Sequence, residues 1–168
     1  EFRRVLFRSP ARRGEPPVGH VGNCYFGSAE YFQGPLSGAG SPGLQVGNVA
    51  TGELASYPFV IAGSSISLLV GGTDHPDDCY VALVDAATDT VIHKEHGGGH
   101  ETMTERWWDV SGLYGREVYV RIVDSSQQGH INVDHIRETM IALEAPGSGP
   151  AGGVLIDHGP HPNPCTPP

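Results

Sequence analysis

Short runs in which apolar and polar residues alternate fill the middle of the chain. Four runs stand out, at residues 66–70, 81–84, 118–123 and 131–136. Alternation of this kind puts one set of side chains on one face of a β-strand. Clusters of Gly, Asp and Ser separate the runs, so that strands follow one another at spacings of about 8–15 residues. The pattern predicts an all-β fold, as an antiparallel sandwich or barrel. The one candidate turn of helix is 110–114, with Ser111 as its capping residue.

Both ends of the chain lack this pattern. Residues 1–9 read EFRRVLFRS, which resembles the translation of a sequencing-adapter oligonucleotide, and residues 10–17 continue as a linker rich in Pro and Arg. Residues 145–168 are rich in Pro and Gly, and Pro supports neither a helix interior nor a sheet interior. We therefore expect one folded unit at 18–144, a linker or disordered tail after it, and an origin in a longer protein.

Composition excludes several classes of function. The 168 residues include 24 Gly and 14 Pro, and the net charge is -9. This acidic balance argues against binding to nucleic acid, and no apolar run approaches the ~18 residues that a membrane helix needs. Three cysteines allow one disulfide. Cys24–Cys79 is the more plausible pair because Cys165 lies in the tail, and idle buried thiols are the alternative.

Five stretches carry a family resemblance. They read NVATGELASYPFVI (48–61), SISLLVGGTDHP (65–76), YVALVDAATDTVI (80–92), WWDVSGLYGREVYVRIVD (107–124) and GHINVDHI (129–136). In this order they resemble the C-terminal carbohydrate-binding-like module of levanases and related fructan hydrolases of glycoside hydrolase family 32. Three positions depart from that pattern: Gln128 replaces a Trp, Thr73 a Gly, and Asn48 an Asp.

The resemblance implies a jelly-roll-like antiparallel β-sandwich that acts as an accessory module. Such a module would hold a β-fructan, or a terminal fructose unit, near a separate catalytic domain of the same parent chain. It would itself be non-catalytic, and it would work outside the cell or in the periplasm. A structural spacer without ligand is the alternative, which Gln128 favours because a stacking Trp is missing. An independent hydrolase is the third hypothesis, although no pair of carboxylates stands out as an acid and a base.

Five polar residues follow or flank the predicted strands, where side chains can converge at one edge of a sandwich. The candidate ligand-binding residues are His75, Arg121, Asp124, His130 and Asn132. Arg, Asp and Asn can bind neighbouring sugar hydroxyls with two hydrogen bonds at once, and Gly71 and Gly72 would admit a ligand close to the backbone. The alternative is that Arg121 and Asp124 pair locally while His130 packs beneath a turn.

Asp134 is the candidate metal ligand. Val133 points to one face of its strand, and Asn132 and Asp134 point to the other. Similar modules hold a structural calcium ion, which takes six to eight oxygen ligands, and Glu30 or Asn23 would assist. The alternative is that Asp134 accepts backbone amides or caps a turn.

The histidine-rich stretch 93–101 suggests zinc, but no regular element fixes its side chains and we interpret it as a polar hairpin loop. A lipase oxyanion loop is excluded because the chain has no G-x-S-x-G nucleophile motif. Trp107 and Trp108 are adjacent in a strand and so face opposite sides. Trp108 belongs to the WDV pattern of the resemblance and is expected in the core. Trp107 is expected outside, where it would stack on a sugar or lie half buried.

Overall fold

A computed structural model describes residues 18–22, 25–29 and 47–140, and the backbone of 154–156. Ten strands lie in these ranges: β1 (Phe26–Gly27), β2 (Gly52–Ala55), β3 (Phe59–Val60), β4 (Ser65–Gly72), β5 (Cys79–Asp85), β6 (Val91–His96), β7 (His100–Asp109), β8 (Glu117–Asp124), β9 (Ile131–Met140) and β10 (Val154–Ile156). None of the described residues forms a helix that is long and apolar enough to cross a membrane.

The strands form two antiparallel sheets. Sheet 1 has the order β1-β9-β4-β7, with β10 also paired to β9, and sheet 2 has the order β2-β8-β5-β6, with β3 also paired to β8. The chain passes repeatedly from one sheet to the other, and this order of strands is that of a jelly roll. The predicted all-β, jelly-roll-like sandwich is confirmed.

The core lies between the sheets and follows the period of two. Alternate residues of β4 (Ile66, Leu68 and Val70) point inward and meet the inward residues of β5, β8 and β9. Trp108 is 2% exposed and belongs to this core, whereas Trp107 is 57% exposed on the opposite face of β7. Both expectations for the tryptophans are confirmed.

The chain that precedes β1 covers part of the outer face of sheet 1. Val18 and Tyr25 form a second apolar cluster with Met103 of β7, and Leu69 of β4 packs against it. The carbonyl of Val18 also accepts a hydrogen bond of 2.7 Å from the amide of Met103. Tyr25 is therefore a packing residue of this cluster.

Two local predictions are wrong. The stretch 93–101 is not a hairpin loop, because it holds the end of β6 in sheet 2, a glycine link, and the start of β7 in sheet 1. A Cβ at Gly97 would collide with the backbone of Gly72, so this crossing needs glycine. The expected helical turn is a 3₁₀ turn, Ser111–Leu113, but Ser111 does not cap it. Instead, the carboxylate of Asp109 accepts hydrogen bonds from the amide and hydroxyl of Ser111.

A β-bulge interrupts β9. Ser67 of β4 lies opposite Arg137, but Leu69, two residues later, lies opposite Asp134, so β9 holds one extra residue. His135 at this point has φ of +53°, in the left-handed region that costs most residues about 1–2 kcal/mol. The bulge shifts the alternation of the strand, so that Arg137 points outward and Glu138 points inward.

Replacing His135 tests the bulge. In a regular strand Val is favoured over Gly, but a left-handed φ penalises a β-branched side chain. We expect His135→Val to lower the free energy of unfolding by about 1–3 kcal/mol, and His135→Gly to change it by less than about 1 kcal/mol. Urea denaturation of the three proteins measures this. Equal stability of the two variants, or a more stable Val variant, would contradict the bulge.

A turn between β5 and β6 depends on Asp85. One carboxylate oxygen of Asp85 accepts hydrogen bonds from the amides of Ala87 and Thr88 and from the Thr88 hydroxyl. The other oxygen pairs with Arg116. The hydroxyl of Thr88 and the guanidinium of Arg116 hold the pKa of Asp85 below its ordinary value, although partial burial opposes them.

This lowered pKa makes the turn sensitive to acid. A carboxyl with a lower pKa in the folded state stabilises the fold above the pKa of the unfolded chain, about 3.9, and loses that contribution as the pH falls. We expect Asp85→Asn to lower Tm at pH 7, and the difference from the parent to shrink below about pH 4. Asp77→Asn is the control, since Asp77 is exposed and its pair with Lys94 spans 3.8 Å. A gap in Tm that stays constant from pH 7 to pH 3 would contradict this role.

Candidate functional site

Four polar side chains meet on the outer face of sheet 1, at the end where β4 finishes. We call Glu101, His130, Asn132 and Asn48 the Glu101 cluster. Asn132 lies on β9 opposite Gly71 of β4, Glu101 lies near the start of β7, and His130 directly precedes β9. Strands β7 and β9, which both flank β4, therefore bring three of the four side chains to one place.

The carboxylate of Glu101 connects the other side chains. Its Oε1 lies 2.8 Å from Nε2 of His130, and its Oε2 accepts a hydrogen bond of 3.1 Å from the side-chain amide of Asn132. The Glu101–His130 contact is close but is not aligned as a hydrogen bond. Nδ1 of His130 lies 3.1 Å from Oδ1 of Asn48.

Solvent reaches this cluster mainly at Glu101. Asn132 is 1% exposed and His130 is 8% exposed, whereas the side chain of Glu101 is 31% exposed. Two buried side chains thus orient a partly open carboxylate. A carboxylate held in this way offers strong acceptor positions to a hydroxyl-bearing ligand.

Glycines allow the strands to approach beneath the cluster. A Cβ on Gly71 would lie 2.8 Å from the carbonyl oxygen of Glu101, and a Cβ on Gly72 would collide with the carbonyl of His130. Gly72 also has φ of +107°. The sequence predicts that Gly71 and Gly72 let a ligand approach the backbone. In the structure these glycines instead allow the backbones of the neighbouring strands to approach closely.

Thr73, which stands where the resemblance expects Gly, fixes His130. Its hydroxyl accepts a hydrogen bond of 2.9 Å from the amide of His130, and its own amide donates one of 3.0 Å to the carbonyl of His130. A Cβ on the adjacent Gly129 would lie 2.7 Å from the Thr73 hydroxyl and 2.8 Å from Sγ of Cys79. The loop before β9 is therefore packed tightly against the loop after β4.

His75 and Asp124 lie at this same end of the sandwich. The ring of His75 packs beside Gly129. Asp124 is buried between the sheets, where its Oδ1 accepts hydrogen bonds from Sγ of Cys79 (3.3 Å) and from the amide of Ser126 (3.2 Å). Asp124 thus faces the interior, whereas the Glu101 cluster faces outward.

The thiol of Cys79 is free and buried. Burial, followed by the nearby carboxylate of Asp124, raises the pKa of Cys79 to about 12. The preferred disulfide, Cys24–Cys79, is therefore not formed, and for Cys79 the alternative of an idle buried thiol is confirmed. Cys24 and Cys165 lie outside the described residues.

Arg121 is placed far from the other candidates, on the outer face of sheet 2. Its Nε lies 3.0 Å from Glu53, and its guanidinium also contacts Asp89 and the hydroxyl of Tyr119. The alternative of a local Arg121–Asp124 pair is wrong, since Asp124 points to the opposite face of β8. The structure brings His130 and Asn132 together, leaves His75 and Asp124 nearby, and separates Arg121 from all four.

Glu101 is the residue of this cluster that the sequence analysis missed. We had assigned it to a polar loop, where a carboxylate has no fixed direction. Residues 101–106 contain one apolar residue, Met103, so the local sequence carries no alternation of apolar and polar positions that would extend β7 back to the glycines.

Asp134 lies on the outer face of β9, two residues from Asn132. Its Oδ2 accepts a hydrogen bond of 2.7 Å from the amide of Val21. Burial raises the pKa of Asp134, and the amides of Val21 and His135 partly oppose that rise. The alternative interpretation, that Asp134 accepts backbone amides, is confirmed.

The described residues do not complete a calcium site around Asp134. Calcium takes six to eight oxygens, and no group of three or more His, Cys, Asp or Glu side chains within the described ranges is placed to hold a metal ion. The expected helpers, Asn23 and Glu30, lie outside those ranges. Calcium at Asp134 therefore stays a prediction.

Comparison with known proteins relates the chain to a glycosyl hydrolase by name. The chain is 35% identical over 123 residues to a protein of Aspergillus rugulosus named "Putative glycosyl hydrolase ecdE". The match covers 66% of this chain but 17% of the relative, so the chain spans about a sixth of the relative's length. No family model matches the sequence, and no solved structure matches it. The likeness thus relates this chain to one region of a protein with a glycosyl hydrolase name.

Calcium binding can be measured through stability. If Asp134 is a ligand, calcium at a hundred times its Kd stabilises the fold by about 2.7 kcal/mol, which raises Tm by several degrees. Asp134→Asn keeps an acceptor for the amide of Val21 and removes the charge, so it should lose this response. Asp74→Asn, on an exposed loop, should keep it. If the chain without substitutions has the same Tm in calcium and in chelator, the calcium site is refuted.

Proposed function

We propose that this chain is a non-catalytic carbohydrate-binding module of a larger glycoside hydrolase. Its ligand is a β-fructan of the levan type or a terminal fructose unit, bound at the Glu101 cluster. The module works outside the cell or in the periplasm, attached to a catalytic domain of the same parent chain. A structural calcium ion at Asp134 belongs to the same proposal.

The observation that carries the proposal is the carboxylate of Glu101, held between a histidine and an asparagine and partly open to solvent. Neighbouring sugar hydroxyls are paired donors and acceptors. A fixed carboxylate accepts from such hydroxyls with charge-assisted hydrogen bonds. The orienting side chains are already ordered, so a ligand would not need to immobilise them.

The accessory role is supported by the relative. Its name is that of a glycosyl hydrolase, and this chain corresponds to 17% of its length. The remaining length leaves room for a catalytic domain elsewhere in that protein. Binding by a single exposed site to free sugar is expected to be weak, because each hydroxyl must give up water. Attachment to a catalytic domain would compensate through effective concentration.

A structural spacer is the second candidate function. Gln128 is exposed just before Gly129, at the position where the resemblance expects Trp. Its backbone amide donates a hydrogen bond to the hydroxyl of Ser126, and its side chain offers no flat apolar face for a sugar. A spacer with the same fold would bind no fructan at all.

Calorimetry with fructose, inulin and levan in calcium buffer tests the proposal. We expect heat of binding with at least one of them, and we expect Glu101→Gln to weaken that binding about tenfold or more, since hydrogen bonds to charged groups contribute about 1.5–3 kcal/mol. Glu117→Gln is the matched control, because Glu117 is exposed at the start of β8 and distant from the cluster.

Three results would contradict the proposal or a part of it. If the chain without substitutions gives no heat with any of the three sugars, the spacer function is favoured instead. If the chain alone hydrolyses levan or sucrose with substantial turnover, it is an enzyme and not an accessory module. A Glu101→Gln variant that keeps the parent's Tm and full affinity would remove the Glu101 cluster from the binding site.

A further inference from the structure

The described residues of the N-terminal segment pack on one part of the outer face of sheet 1. Val18 and Tyr25 cover the face around Leu69 and Met103. Beyond Leu69, toward the start of β4, the next cross-strand row consists of Trp107, Ser67 and Arg137, from β7, β4 and β9. We call this row the Trp107 platform.

The platform has an aromatic ring at one side and a cation at the other. Trp107 is 57% exposed and lies directly opposite Ser67, which lies directly opposite Arg137. Neighbouring strands are about 4.8 Å apart, so Trp107 and Arg137 originate about 10 Å from one another. Ser67 is small and buried between them, at 6% exposed, so Trp107 and Arg137 supply the accessible surface of the row.

The bulge in β9 is what places Arg137 in this row. In an unbroken alternation from Val133, which faces the core, residue 137 would also face inward. The extra residue at His135 reverses this, so that Arg137 reaches the outer face and is exposed. None of the described residues forms an ion pair with it. An arginine that has no ion partner among the described residues, beside an exposed tryptophan, can donate to a ligand without first breaking such a pair.

The surrounding charges favour a neutral ligand. Glu105 and Asp109 are exposed on the same face of β7 as Trp107, and the whole chain has a net charge of -9. The negative electrostatic field of these carboxylates and of the whole chain repels nucleic acids and acidic polysaccharides. Carboxylates that accept, an arginine that donates and an aromatic plane that contacts C–H groups together suit the alternating hydroxyl and C–H surfaces of a sugar chain.

We infer that the Trp107 platform is a second carbohydrate-binding surface, which contacts the side of an extended neutral polysaccharide chain. Ser67 and Gly71 are four residues apart on β4, so the platform lies about 13 Å from the Glu101 cluster along the strand. Tyr25 and Met103 pack on the face between them. The platform therefore does not depend on the fructose site proposed above.

Affinity electrophoresis in gels that contain levan, mixed-linkage β-glucan or polygalacturonate tests this surface. We expect at least one neutral polysaccharide to retard the chain without substitutions. Trp107→Ala should lower the affinity for that polysaccharide at least fivefold and leave Tm unchanged. Trp107→Tyr should restore part of the retardation. Tyr57→Ala is the matched control, because Tyr57 is 85% exposed and lies between β2 and β3 of the other sheet.

Tryptophan fluorescence gives an independent measurement. Trp108 is buried, so acrylamide quenching reports chiefly on Trp107, and a bound neutral polysaccharide should protect it. The inference is overturned if no neutral polysaccharide retards the protein, if Trp107→Ala is retarded like the parent, or if polygalacturonate binds better than both neutral chains. Glu101→Gln separates the two proposals: it should lose binding of free fructose and keep the retardation that depends on Trp107.

Discussion

The two faces of strand β4 are the constraint on which the rest of the structure depends. Its residues Ile66, Leu68 and Val70 enter the core, where each side chain of this kind contributes about 1.5–3 kcal/mol by leaving water. Burial of these three residues fixes the register of β4 against its neighbours, because a slip by one residue would expose all of them. The register then dictates what stands on the outer face. Ser67 lies in the middle of the platform, Leu69 anchors the N-terminal segment, and Gly71 lies beneath the Glu101 cluster.

The bulge in β9 shows how a local cost can be offset elsewhere in the sheet. A left-handed His135 is unfavourable by itself, but the phase shift that it creates turns Glu138 inward. There the carboxylate of Glu138 accepts hydrogen bonds from the amides of Ala62 (2.8 Å) and Gly63 (2.6 Å). Buried amides without partners are costly, so these bonds give the bulge a structural reason. The same shift exposes Arg137, so stability and surface chemistry are coupled through one extra residue.

The sequence predicted the sandwich because most of its strands carry their signal locally. The alternation in 66–70 and 118–123 needs no knowledge of the partner strand. The bulge in β9 could not be predicted from Ile131, Val133 and Ile136, because Ile136 is 38% exposed and its spacing from Val133 also fits a regular strand. Strand β7 was harder to predict from the sequence, because its inward positions include the polar residue Arg106. Arg106 pairs with Glu95 across the two sheets at 3.4 Å. The polar start of this strand therefore resembled a loop.

It was harder to predict from the sequence which side chains lie together in one site than to predict the strands. Arg121 and Asp124 are three residues apart on β8, and the period of two alone places them on opposite faces, yet proximity in the sequence made them look like one site. Glu101 and His130 are distant in the sequence, and they meet only because β7 and β9 both flank β4. No local pattern reports which strands are neighbours, so this pairing required the topology.

The position of the two surfaces has a consequence for how a polysaccharide would be held. Both lie on the outer face of sheet 1 and are built from the same three strands, so the sheet fixes their separation. Leu69 and the N-terminal residues packed on it stand between them, which makes one continuous groove unfavourable. Two rigidly spaced contacts can each be weak and still give firm attachment to a polymer, since binding at one raises the effective concentration at the other. If both proposed surfaces bind sugar, a short oligosaccharide would reach only one of them, and a long chain would be held more firmly than a free sugar.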